Sequence, residues 1–452
     1  MTSPASGRLT DLICGTAAIN EIWGPRASIQ AMLEVEAALA RACAAHGVIP
    51  ADAVAAIEAA CDAAQIDAAA LMQQAALSGN LAIPLVKQLT VQVSARDVEA
   101  AKYVHWGATS QDIIDTGTIL QLRASFDRLD AGLHAICDVL ARLAAEHRAT
   151  PMAGRTWLQQ ALPITLGLKF AQWLDALRRH RERLAQTKLR VLVLQFGGAA
   201  GTLASLRDAA VPVATSLAAD LRLALPALPW HTQRDRIAES ASYLGMLIGT
   251  LGKIARDISL QMQTEIGELA EPSASGKGGS SSMPHKRNPV GCAAILSAAT
   301  RAPGLVATVL AGMVQEHERA LGGWQAEWES LPELARLADG SLTHLLQIVD
   351  GLNIDASRMA AHLDATHGLI LGEAVTLALG DAVGRLQAHQ QIEQAVQTAL
   401  RTGHTLYEVL AADESVTRHL SPQRLAELLD PSNYLGQAGA FIDAVLAAHR
   451  QD

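Results

Sequence analysis

Leu122, Phe126, Leu129, Leu133, Ile136, Leu140 and Leu143 recur at alternating steps of four and three. That heptad spacing puts all seven on one side of a single long helix, which must pack along much of its length against a partner helix. Similar stripes follow at Leu166, Phe170, Trp173, Leu177 and Leu184, and at Leu244, Leu247, Leu251, Ile254 and Ile258. Another runs through Leu331, Leu334, Leu337, Leu345, Ile348 and Leu352, and an apolar helical pattern with a kink expected at Pro303 lies before it. Five long helices make a bundle, so the expected fold class is all-α. Half the residues are hydrophobic but only 3% are aromatic. The core is therefore built of Leu, Ala, Ile and Val, which suits close-packed helices. In Gly245–Gly252 small and apolar residues occupy more than one face. Burial on every side then calls for cover from other subunits.

The flanks read differently. Before the bundle, Trp23-Gly24-Pro25 marks a turn, Ile29 to Cys43 has helical spacing, and Gly47-Val48-Ile49-Pro50 ends that helix. After it, breaks at His367-Gly368, Gly380-Asp381, Gly384-Arg385 and Asp430-Pro431 divide shorter helices. We expect three helical domains: residues 1–112, a central 113–352 and a small C-terminal 353–452. The net charge of −9, without a long basic run, argues against a nucleic-acid partner. The first residues carry no apolar signal core, and no uninterrupted apolar run is long enough to span a bilayer. Five scattered cysteines without a CxxC pair read as reduced thiols of a cytoplasmic protein. No HExxH or histidine cluster has metal-ligand spacing, so neither a metal nor another cofactor is expected.

One stretch departs from this Ala- and Leu-rich background. Residues 275–289 combine three glycines, three successive serines, and then Lys286, Arg287 and Asn288 ahead of Pro289. The glycines suit a mobile lid that exposes backbone N–H groups. The cations and amide are donors for carboxylates, and Pro289 fits the first turn of a helix whose positive end would sit nearby. A solvated Gly/Ser linker does not need so particular a tail. Elsewhere, Gln195–Thr202 is a Gly-rich turn, but no Gly-Lys-Ser/Thr follows to make it a nucleotide loop.

The run Ser280-Ser281-Ser282-Met283-Pro284-His285-Lys286-Arg287-Asn288-Pro289 resembles the signature loop of the fumarase/aspartase superfamily. Val104–Asp112 resembles its first signature region, and Gly154–Pro163 its second. The resemblance implies a homotetramer with a central twenty-helix bundle and active sites formed by three subunits. It implies Ser280 as the catalytic proton-transfer residue, with Lys286 stabilising its anion and, with Asn288, the substrate carboxylates. Thr109 and Ser110 would bind carboxylate, and Arg155, Thr156, Trp157 and Gln159 would line the site. Arg319 and His105 are further candidates for touching substrate. Arg234 is another, although an Arg beside Asp at a helix start more often forms a structural ion pair.

Most relatives have histidine where this chain has Trp157. Indole donates an N–H but cannot shuttle a proton. Lyases that expel hydroxide, ammonia, a guanidine or a purine amine benefit from acid assistance, whereas a carboxylate leaving group is already stable as an anion. Gly-Arg-Thr-Trp-Leu-Gln-Gln-Ala at 154–161 resembles the bacterial cycloisomerases of 3-carboxy-cis,cis-muconate, in which a carboxylate adds to a double bond to close a lactone. The expected activity is that intramolecular lyase reaction of protocatechuate breakdown. Alternatives are an adenylosuccinate-type lyase or a non-catalytic protein of the same fold.

Overall fold

Gly24 at the N-cap and Pro25 at the first helical position start helix α1, Pro25–Ala45, where a missing N–H costs nothing. The computed structural model describes residues 10–273, 278–279, 282–283 and 285–451. Five longer helices follow. They are α2 (Ser110–Glu146), α3 (Leu166–Val191), α4 (Asp235–Gln261), α5 (Val290–Ala311) and α6 (Gly323–Asp350). The apolar stripes of α2, α3, α4 and α6 are at most 5% exposed, apart from Leu352, which lies beyond its helix and is half-buried. The fold is all-α. Pro303 and Pro332 lie inside helices that continue past them.

Among the described residues, helix α5 alone bears on the sequence expectation about membranes. By length and mean hydropathy it is apolar enough to cross one, although no uninterrupted apolar run is that long. Arg301 in its middle is ion-paired with Glu333 of α6. No disulfide joins any of the five cysteines.

Two compact units make up the chain. One comprises Met1–Leu133, His180–Ala255 and Cys292–Leu345; the other comprises His134–Arg179, Arg256–Gly291 and Leu346–Asp452. Each of the five long helices contributes residues to both, so the units do not follow chain order as the expected segments 1–112, 113–352 and 353–452 do.

The second unit holds a hairpin of strands β1 (Pro151–Thr156) and β2 (Gln159–Thr165). Its register pairs Thr156 with Gln159 and Arg155 with Gln160, with a bulge between Ala153 and Arg155. Gly154 fills the bulge, because a Cβ there would lie 2.7 Å from the Leu162 carbonyl oxygen. Helix α7 (Ala356–Asp364) packs on β1. Beyond it, Val375, Leu379, Ile392, Leu406, Leu410 and Leu425 form a small separate core in the C-terminal helices.

Candidate functional site

In the first unit, Thr109 and Ser110 sit where α2 begins. The Thr109 hydroxyl accepts from Arg319 Nη1 at 2.8 Å, and Ser110 accepts from Asn80 Nδ2 at 2.9 Å and, weakly, from Arg319 Nη2 at 3.4 Å. A hydroxyl that accepts keeps its own proton to donate. Two O–H donors, a guanidinium and a helix N-terminal end therefore converge on one spot, suited to a carboxylate.

The support beneath this turn is polar and buried. Arg319 lies 6.0 Å from the ring centre of Trp324. Trp324 Nε1 donates to Asp115 at 2.9 Å. Asp115 is gripped by Arg234 through Nη1 at 2.7 Å and Nη2 at 3.1 Å. Arg234 also donates from Nε and Nη2 to Glu327, at 3.0 and 2.5 Å. Burial raises the Glu327 carboxyl above the usual range, although Arg234 pulls in the opposite direction. At 2% exposure, with both edges committed to carboxylates, Arg234 has no donor left for substrate. The substrate-facing expectation for Arg234 is thus replaced by a structural one: it holds Asp115, which orients the tryptophan under Arg319.

His105, at φ 60°, turns back to α1, where its Nδ1 lies 2.6 Å from Glu36 Oε1. Burial lowers the histidine pKa, but the charge and hydrogen bond of buried Glu36 outweigh it, so the net position is above the ordinary value. The Gly-rich turn is also engaged. Its Gly197 and Gly198 N–H groups donate to Asp112 at 3.0 and 2.9 Å, and so are not free for an anion.

In the second unit, Arg155 is bidentate to Glu268, at 2.8 and 2.6 Å, and His362 Nδ1 lies 2.7 Å from the same carboxylate. Burial pushes the Glu268 carboxyl up, yet Arg155 and His362 together bring it below its usual value. Arg155, expected to line the site, spends its guanidinium on fixing β1. The hairpin tip is Trp157-Leu158, and Trp157 is 98% exposed, not a core tryptophan. Both tip residues have positive φ, 53° and 66°. Two-residue hairpin turns with that geometry favour Asn and Gly, and a bulky residue costs about 1–2 kcal/mol at each position. Thr156 and Gln159 flank the tip and are exposed.

The signature loop also belongs to the second unit. Ser280, assigned proton transfer, lies outside the described residues, as does Gly276. Lys286 is exposed and Asn288 half-buried. The Asn288 N–H donates to the Gly278 carbonyl at 2.9 Å, tying the two ends of the loop together. Gly278 has φ 71°, and a Cβ there would meet the Asn288 oxygen at 2.7 Å, so glycine is required. Among the described residues no group of His, Cys, Asp or Glu is arranged to hold a metal ion.

The structure thus brings Thr109, Ser110 and Arg319 together, and arranges Arg155, Thr156, Trp157 and Gln159 on one hairpin. It adds Asn80, Glu36, Glu268 and His362, which sequence reasoning missed. None of the four stands in a recognisable motif, and each acts through a residue remote in the chain.

A family profile described as Lyase matches residues 15–304, and another, described as Adenylosuccinate lyase C-terminus, matches residues 368–445. The 3-carboxy-cis,cis-muconate cycloisomerase of Pseudomonas aeruginosa is 53% identical over 449 residues, which are 99% of this chain and 98% of that protein. The protein of that name from Bradyrhizobium diazoefficiens is 53% identical over 450 residues, 100% of each. The crystal structure of 3-carboxy-cis,cis-muconate lactonizing enzyme from Pseudomonas putida matches with a TM-score of 0.94 at 50% identity, covering 98% of this chain and 99% of that one. The chain therefore belongs to the lyase family of the fumarases and aspartases, in its 3-carboxy-cis,cis-muconate cycloisomerase branch.

Proposed function

We propose that this chain converts 3-carboxy-cis,cis-muconate to 4-carboxymuconolactone. The observation that carries this reading is Trp157, held 98% exposed at a strained hairpin tip. No packing within its own chain accounts for this tryptophan, and the strain is what a functional position tolerates. Its indole can orient a substrate by N–H donation and stacking but cannot protonate a leaving group. That suits chemistry in which the group that adds or leaves is a carboxylate.

In the lactonising direction, a carboxylate oxygen of the substrate forms a C–O bond to one alkene carbon. The electron pair of the double bond moves toward the adjacent carboxylate and gives an aci-carboxylate dianion. Ser280 then delivers its proton to the carbon alpha to that carboxylate. Lys286 and Asn288 stabilise the serine anion and the dianion. Arg319 with the Thr109–Ser110 hydroxyls holds a second carboxylate. The active assembly is a homotetramer in which three subunits complete each site. Helix α5 supports this, since less than a third of its apolar stretch is buried within the chain. A surface of that kind calls for a protein partner.

The test is an ultraviolet assay with 3-carboxy-cis,cis-muconate and no added metal or cofactor. Loss of diene absorbance with lactone formed is the expected result. No change, with fumarate released instead from adenylosuccinate or argininosuccinate, would overturn the reading in favour of an amine-releasing lyase.

A further inference from the structure

Asp112 is 1% exposed and accepts five hydrogen bonds from three segments of chain. Oδ2 accepts from the Thr109 N–H at 3.0 Å and from the Gly198 N–H at 2.9 Å. Oδ1 accepts from the Gly197 N–H at 3.0 Å, Gln195 Nε2 at 3.0 Å and His231 Nε2 at 2.8 Å. The segments it joins are unfavourable on their own. Three residues other than glycine, His105, Leu203 and Arg207, have positive φ there. The segments also interlock tightly, because a Cβ on Gly107 would lie 2.7 Å from Leu206 Cδ2. Two strained loops meeting at one buried carboxylate have no geometry of their own to fall back on.

We infer that Asp112 is the positioning residue of the carboxylate-binding turn: by clamping the Thr109 backbone against the Gly-rich loop and His231, it aims the Thr109 and Ser110 hydroxyls at substrate. This rests on the proposed role of that turn. Asp112 touches no substrate, so its effect passes through residues 109 and 110. Asp112→Asn keeps the shape but turns an N–H toward donors on one side of the carboxyl, which breaks the clamp. His231→Leu removes one donor and spares the carboxylate, and His231→Gln can restore a neutral donor.

The experiment is a double-mutant cycle on the full-length enzyme with 3-carboxy-cis,cis-muconate. It compares wild type, Thr109→Ala/Ser110→Ala, Asp112→Asn and the triple variant. We expect Asp112→Asn to raise KM about tenfold with kcat within about threefold, the double variant to do likewise, and the triple variant to be no worse than either. His231→Leu should raise KM about threefold and His231→Gln should recover it, which keeps the inference testable if Asp112→Asn does not fold. Multiplying losses in the triple variant, or a fall in kcat at unchanged KM, would overturn the positioning role while leaving the turn itself in place. Wild-type KM in Thr109→Ala/Ser110→Ala would instead sink the carboxylate-turn reading, and this inference with it.

Discussion

Thr109 and Arg319 are 210 positions apart and hydrogen-bonded, so the anion-binding capacity of the turn depends on tertiary structure. The residue carrying the chemistry is different in kind. Ser280 is assigned by its place in a motif, and Ser280→Ala should lose nearly all turnover while the protein still folds and assembles. Ordinary turnover in a folded Ser280→Ala protein would remove Ser280 from the mechanism. His105 makes a separate prediction. Its folded pKa is raised, chiefly by Glu36 acting against burial. Such a pair contributes fully below the unfolded value of about 6.5 and is lost as pH rises through the folded one. His105→Gln should therefore cost the most stability below about pH 6 and progressively less in alkali. Urea midpoints measured across that range check it, and a pH-independent difference would contradict it.

At the level of elements, the hairpin shows one part working for another. Arg155 belongs to a matched motif, yet its guanidinium closes on Glu268, and His362 of α7 closes from another side. The latch fixes the strand from which Trp157 projects. Glu268→Gln leaves Arg155 without its counterion, so we expect about 3 kcal/mol of destabilisation at neutral pH. The folded Glu268 pKa is depressed. Its contribution is therefore present above the unfolded carboxylate value of about 4.3 and lost as pH falls through the folded one. The wild-type and Glu268→Gln stabilities should converge in acid, and a constant gap down to about pH 2 would show that the latch is not ionic.

For the whole molecule, the decisive feature is apolar surface that the chain leaves uncovered. Ala307 and Leu310 are exposed on α5, and Met246 is exposed on α4. In the proposed tetramer these faces pack against other subunits. Ala307→Glu would place a charge there, and burying an unpaired charge is costly. We expect this variant to sediment as smaller species with activity lost in parallel. An intact tetramer in the Ala307→Glu variant would separate α5 from the interface.

The bundle was legible because helical periodicity is local. Steps of three and four place Leu122 through Leu143 on one face whatever surrounds them, and all are buried. The signature loop and the Trp157 substitution were legible because motif chemistry depends on neighbours in sequence. Tertiary structure alone decided that Arg234 and Arg155 serve carboxylates of the protein itself. An arginine reads identically in sequence whether its partner is a substrate or a buried Glu327 or Glu268. It also decided that 151–165 forms a hairpin, since the pairing that satisfies those backbone groups is made only when both strands meet. Sequence determines which groups a chain can offer at short range; only folding determines which of them are already spent.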